Sequence, residues 1–168
     1  METLFENKYT RTREIITEIY RYYYFKRRFF IFVDALIILC TLYSAVLSVL
    51  VGKFLWDNMI FLPIAFFIQF FVYFMQVNAL VNRDKETHGC EPCVEMLVND
   101  DIIAHRLGDT MSSQIDFSKI RSCITTKNLI CLRTKAGLLY IFEKNSFTKG
   151  DAESFLRFLK DKGIKIIR

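Results

Sequence analysis

Histidine is scarce in this chain, glycine never clusters, and charge is missing from two long stretches. Only His88 and His105 could serve as imidazole bases, and neither lies beside a serine or cysteine in a recognisable nucleophile elbow. The six glycines stand singly, so no glycine-rich loop is available to cradle a phosphate. No catalytic residue is assigned on this basis, no cofactor is expected, and the chain is not read as an enzyme.

The missing charge is the positive signal. Residues 29–51 carry only Asp34 and residues 59–81 carry none, so each run has 23 residues, close to the roughly 20 that a helix needs to cross a bilayer. The break Gly52-Lys53-Phe54-Leu55-Trp56-Asp57-Asn58 separates them. The expected organisation is an N-terminal arm over 1–28, a two-span hairpin over 29–81, a linker over 82–92 and a folded domain over 93–168. A cleavable signal fits poorly, because the first run starts late, is too long, shows no small-residue cleavage site and is followed by a second.

Charge also orients the hairpin. The net charge is +5; the arm holds seven Lys/Arg against four Asp/Glu, and residues 83–168 hold fifteen against twelve. Lys26, Arg27 and Arg28 precede the first run, Arg83 and Lys85 follow the second, and the break offers only Lys53. The positive-inside rule then puts both termini in the cytoplasm and the break outside. Cys90, Cys93, Cys123 and Cys131 accordingly fall in a reducing compartment, where structural disulfides are not expected.

In the arm, Ile15, Ile16, Ile19 and Tyr23 recur at helical spacing, which predicts an amphipathic helix over 10–28. Its end is aromatic and basic, and Tyr22, Tyr23, Lys26, Arg27 and Arg28 compose an interfacial anchor, since amphipathic rings settle at headgroup depth and cations meet anionic lipid. The rings lie too near the bilayer for a nucleic-acid strand to stack on them, so no nucleic-acid partner is expected. Within the spans, Asp34 and Gln76 stand about 7–8 Å below the same boundary if the helices are antiparallel. Thr41 is then level with Gln69. These pairs are expected to lock the hairpin or an oligomer contact by interhelical hydrogen bonds; the functional alternative is an ion relay.

Past the linker the apolar period changes to two. Val94, Met96 and Val98 alternate with more polar positions, and further strands are expected over 101–107, 112–116, 121–126, 129–134 and 138–143 with turns between. Thr148-Lys149-Gly150-Asp151 has the form of a capping box opening a helix on which Phe155, Phe158 and Leu159 make one stripe. The expected fold class is thus a membrane α-helical hairpin plus an α+β cytosolic domain. In that domain an antiparallel curved sheet or half-barrel of about 6–7 strands is capped by a C-terminal helix, a pleckstrin-homology-like arrangement.

Four segments carry a family resemblance: Asp116-Phe117-Ser118-Lys119-Ile120, Leu129-Ile130-Cys131-Leu132, residues 139–147, and residues 152–159. The chain resembles the YcxB-like membrane proteins of bacteria, in which two spans precede a C-terminal pleckstrin-homology-like domain. Where that family usually has Ile-Pro-Lys, this chain has Phe142-Glu143-Lys144 and so lacks the proline. The resemblance implies a fold and a location, a multi-pass protein of the bacterial plasma membrane. It also implies an added strand over residues 3–9.

Two constellations remain. His88, Cys90 and Cys93, with His105 at a distance, form a weak zinc-like set, because one C-x-x-C without a second pair is common by chance; the expected metal content is none. Lys119, Arg121, Lys127, Arg133 and Lys135 fall near strand ends and turns, either as a solvated rim or as a surface for an acidic partner or lipid headgroups. The leading expectation is a non-enzymatic membrane protein whose cytosolic domain binds a protein or lipid partner, in a regulatory or toxin-protection role. The alternatives are a small oligomeric channel or transporter subunit and a zinc- or thiol-dependent sensor.

Overall fold

Six residues near the start of the chain are built into the same sheet as residues more than eighty positions later. The computed structural model describes residues 2–26, 28–52, 61–108 and 110–167. In it the chain forms two compact units, one made of Met1–Ile15 with Arg83–Arg168 and the other of Ile16–Asn82. The sheet unit is therefore discontinuous in sequence, and the expected domain over 93–168 omits its first strand.

That strand, β1 (Phe5–Thr10), alternates Asn7 and Tyr9 inward with charged or polar residues outward. It pairs antiparallel with β2 (Cys93–Val98) over all six residues, from Phe5 opposite Val98 to Thr10 opposite Cys93. The sheet continues through β3 (Ile102–Leu107) to β4 (Thr110–Asp116) on one side and reaches β8 (Phe147–Lys149) on the other, giving the order β4-β3-β2-β1-β8. A 3-10 turn at Phe117–Lys119 leads into a second sheet. This one is built from β5 (Ile120–Thr125), β6 (Leu129–Thr134) and β7 (Leu139–Glu143), with β9 (Ile166–Ile167) added parallel to β5 in the order β7-β6-β5-β9.

The described residues thus hold nine strands in two sheets, where one curved sheet of about six or seven was expected; the coarser α+β assignment holds. The surplus strands are β1, β8 and β9. The last two have three and two residues, too short to show a period, and β1 was anticipated only through the family resemblance. The alternation read at Val94, Met96 and Val98 is observed, with all three side chains buried. Leu129, Ile130, Cys131 and Leu132 are buried in succession, which marks β6 as covered on both faces.

Between the sheets lies an aromatic core. Helix α4 (Ala152–Asp161; α1 to α3 are given below) buries Phe155 and Leu159, and the Phe155 ring lies 4.7 Å from Phe142, 5.6 Å from Phe147 and 5.2 Å from Phe5 between centroids. Phe158 meets Phe5 and Phe117, each at 5.4 Å. The helix starts differently from the expected capping box. Asp151 is itself the N-cap, its Oδ1 accepting from the N–H groups of Glu153 and Ser154 at 2.9 Å each. An aspartate at N-cap outranks one reaching back from N3 because it satisfies two otherwise orphaned first-turn donors at once.

In the other unit, α2 (Arg28–Val51) and α3 (Phe61–His88) are long and apolar enough to cross a membrane. Ile31–Val51 has a mean hydropathy of 2.2 and Pro63–His88 of 1.8. Only 6% and 11% of their apolar windows are buried, and Leu39, Val49, Leu50, Phe67 and Phe70 stand exposed along them. Helix α1 (Arg13–Lys26) precedes them, starting at Arg13 where the expected helix over 10–28 began at Thr10, which belongs to β1. Helix α3 runs on to His88, well into the expected linker, and ends at Gly89 with φ of 69°. The expected break at 53–58 lies outside the described residues.

Candidate functional site

Arg11 leaves β1 and grips a carboxylate on α3. Its Nε donates to Asp84 Oδ2 at 2.7 Å and its Nη2 donates to Oδ1, a two-pronged pair with side-chain exposures of 22% and 9%. Planar guanidinium and carboxylate match in such a fork, which fixes orientation as well as distance. The backbone beside it is tied too, since Arg11 N–H donates to Pro92 O at 3.0 Å. Arg11 also acts on its neighbours. Burial, and secondly the Arg11 charge, push the His105 imidazole below its ordinary value, whereas burial raises the Tyr9 phenol despite Arg11. The His105 ring stands edge-on to Tyr140 at 5.9 Å, and Tyr140 Oη shares a hydrogen bond of 3.1 Å with Ser113 Oγ.

Between the two sheets, Asn7 makes the decisive polar contact. It is completely buried. Its Nδ2 donates to Glu143 O at 2.7 Å, and its Oδ1 accepts from Glu143 N–H at 3.1 Å. A side-chain amide thereby reproduces the two bonds of a strand pair, joining β1 of one sheet to the end of β7 in the other. It sits beside a register shift in the β1–β8 pairing, and Glu143 O also accepts from Ser146 N–H at 3.2 Å.

The basic residues read from the sequence are only partly brought together. Lys119 O accepts from Lys135 N–H at 2.9 Å, Arg133 lies opposite Ser122, and Arg121 occupies the irregularity between Ile120 and Ser122. Lys119, Arg121, Arg133 and Lys135 therefore gather at one end of the β5–β6–β7 meander. Lys127 is at the opposite end, in the β5–β6 turn, where its carbonyl accepts from Lys144 Nζ at 3.1 Å. Lys119 pairs loosely with Asp116 at 3.7 Å, both largely exposed; among the described residues, Arg121, Arg133 and Lys135 have no ion pair. At the same end, in the β6–β7 turn, Leu138 is 62% exposed, a feature not singled out from the sequence.

The polar residues of the two long helices are placed as follows. Thr41 Oγ1 donates to Ile37 O of its own helix at 2.9 Å rather than to Gln69, and Ser48 does the same to Ser44 O. In a helix a short hydroxyl reaches its own carbonyl four residues back more cheaply than a partner across a gap. Asp34 Oδ1 is buried without a hydrogen-bond partner among the described residues, and Gln76 is exposed. An open apolar groove of about 1050 Å³ follows α2 past Leu36, Cys40, Tyr43 and Ala65.

The zinc-like set is likewise not assembled. Cys90 and Cys93 are exposed, Cys90 Sγ lies 3.6 Å from His88 O, and among the described residues no three His, Cys, Asp or Glu side chains come together as a metal-holding group. His105 is committed to the interior of β3 beside Tyr140. Of the anchor residues, Tyr22 is half-buried on α1; Tyr23, Lys26 and Arg28 lie in helical backbone, and Arg27 lies outside the described residues.

Asn7 and the Arg11–Asp84 pair were missed from the sequence. Asn7 reads locally as a turn former, and the ion pair joins residues 73 positions apart. In comparison with known proteins, residues 99–159 fit the family model described as YcxB-like protein, a segment running from the turn before β3 through most of α4. No curated protein and no solved structure matches the chain.

Proposed function

We propose that this YcxB-like protein is a non-enzymatic integral membrane protein of the bacterial plasma membrane whose sheet domain, on the cytoplasmic side, binds an acidic partner in a regulatory or toxin-protective role. The observation that carries the topology is the placement of β1 between β2 and β8. The strand precedes both apolar helices and its neighbours follow them, so a chain that crosses a bilayer at α2 must cross back at α3 for the sheet to close. An even number of crossings puts both ends on one side, and the excess of Lys and Arg at those ends favours the cytoplasmic side. Two packed sheets plugged by α4 are in keeping with a pleckstrin-homology-like domain, a scaffold that serves binding more than catalysis.

The binding surface in this reading is the basic end of the meander. Among the described residues Arg121, Arg133 and Lys135 form no ion pair, and an acidic surface is their natural complement. A photo-reactive residue placed at exposed Ala136 in intact cells tests it. One dominant adduct that disappears on joint reversal of Lys119, Arg121, Arg133 and Lys135 to Glu supports the reading. Absence of an adduct, or one indifferent to the reversal, overturns it.

A second reading, an oligomeric channel or transporter subunit, is favoured by one observation: Asp34 Oδ1 on α2 is buried with no hydrogen-bond partner among the described residues. Intramembrane carboxylates commonly mark ion routes or helix contacts. Proton flux through reconstituted protein that Asp34→Asn abolishes would displace the binding reading; a silent bilayer removes the second.

A further inference from the structure

The turn that carries Leu138 is held more firmly than an exposed loop tip needs to be. Thr134 is buried, with 2% exposure, and it clamps the turn three ways. Its N–H donates to Leu138 O at 2.9 Å, its Oγ1 accepts from Leu138 N–H at 2.9 Å, and its carbonyl accepts from Gly137 N–H at 3.1 Å. Gly137 takes a φ of 87°, which lets the chain reverse without strain. The Lys135 N–H to Lys119 O bond then staples this turn to the 3-10 segment. An apolar side chain is thus presented on a rigid reverse turn at the end of the meander that also carries Lys119, Arg121, Arg133 and Lys135.

That combination selects its occupant. A cationic rim alone suits any acidic surface, protein or lipid. An isolated leucine exposed at the same end as such a rim suits a surface that is anionic at the level of the cations and apolar just beneath it, and a bilayer of anionic phospholipid has that layering. A folded acidic protein presents charge without an apolar layer under it unless a dedicated pocket is provided. The same chain carries two membrane-length apolar helices, so the surface works at high effective lipid concentration.

We propose that the basic end of the β5–β6–β7 meander docks on anionic phospholipid headgroups, with Lys119, Arg121, Arg133 and Lys135 meeting phosphates and Leu138 entering the interface as a wedge. The inference deepens the binding reading above and rests on it, naming the acidic partner as lipid. Each cation near an anionic surface contributes roughly fivefold in binding, and withdrawal of the leucine from water contributes roughly tenfold or more.

The test uses the full chain in nanodiscs of phosphatidylcholine alone and of phosphatidylcholine doped with phosphatidylglycerol, read by amide hydrogen exchange over residues 133–139. The expected result is exchange slowed by about tenfold in the anionic discs only, restored by high salt because headgroup attraction is screened. Leu138→Ser should remove most of that protection, and joint reversal of the four cations all of it. The milder pair Lys119→Gln and Lys135→Gln, both at exposed turn positions, should give a partial loss without disturbing the strands. Equal exchange in both discs, or protection indifferent to Leu138, overturns the proposal. If the adduct at Ala136 is then a protein, the lipid assignment alone falls; if there is no adduct either, the binding reading falls with it.

Discussion

Asn7 and Glu143, 136 positions apart, exchange two hydrogen bonds in which a side-chain amide stands in for a strand's backbone. Replacing Asn7 by Ala takes the partner from the Glu143 N–H and leaves its C=O with only the Ser146 N–H at 3.2 Å, and a loss of about 1–3 kcal/mol in unfolding free energy is expected. Asn7→Asp is expected to be worse, since a carboxylate cannot donate to the Glu143 carbonyl. Denaturant titration of the purified protein checks both, and equality of Asn7→Asp with wild type would remove the amide's reciprocal role.

The Arg11–Asp84 fork makes a second prediction. Arg11→Ala strands a carboxylate with only 9% side-chain exposure, so a loss of about 3 kcal/mol is expected. Replacing both partners by Leu should recover most of it, because the penalty is one of an unpaired buried charge and not of a missing attraction. A double-mutant cycle on unfolding midpoints measures this; losses that simply add would show that the two residues act separately.

Stability should also fall at both ends of the pH scale. Burial pushes the Cys123 thiol up to about 12, against an ordinary 9.0, with Lys144 pulling weakly the other way, and Tyr9 is raised in the same direction. Above pH 9 the unfolded chain releases these protons while the folded one holds them, so stability present below pH 9 drains away as pH rises toward 12. The His105 shift has the opposite sign. Its neutral form is favoured in the fold, so its contribution is intact above pH 6.5 and lost as pH falls. Melting temperature against pH follows both limbs. Alkylation at pH 8 should spare Cys123 and modify the exposed Cys90 and Cys93.

Gly150 tests the aromatic core. A Cβ there would stand 2.5 Å from Phe5 Cδ1, and its φ is +78°. Gly150→Ala is expected to cost about 1–3 kcal/mol from backbone strain, with more if Phe5 cannot yield. Enhanced proteolysis before Arg11 is the readout, since Phe5 holds β1 to Phe155 and Phe158.

Legibility in the sequence followed the range of the physics involved. Apolar period and run length are local, so the two long helices, β2, β6 and the stripe on α4 could all be read. Pairings between distant segments left no such mark. Asn7 in a short polar strand carries no sign of its acceptor at Glu143, and Arg11 gives no hint of Asp84. Grouping five cations by proximity in sequence failed at Lys127 because a hairpin sends neighbours in sequence to opposite ends. Leu138 was passed over since one exposed leucine is ordinary; the Thr134 clamp and the unpaired cations distinguish it. The Thr41–Gln69 pairing was counted from helix rise alone, which fixes depth but not which way a hydroxyl turns.

The placement of β1 bears on how the protein is made. Phe5 leaves the ribosome long before Val98, its partner in the ladder. Until then the strand has no β2 or β8 to join, and both apolar helices are synthesised during the wait. Closure of the sheet is therefore a late event in biogenesis: the first strand made waits, unpaired, for partners that are synthesised only after both long helices are complete.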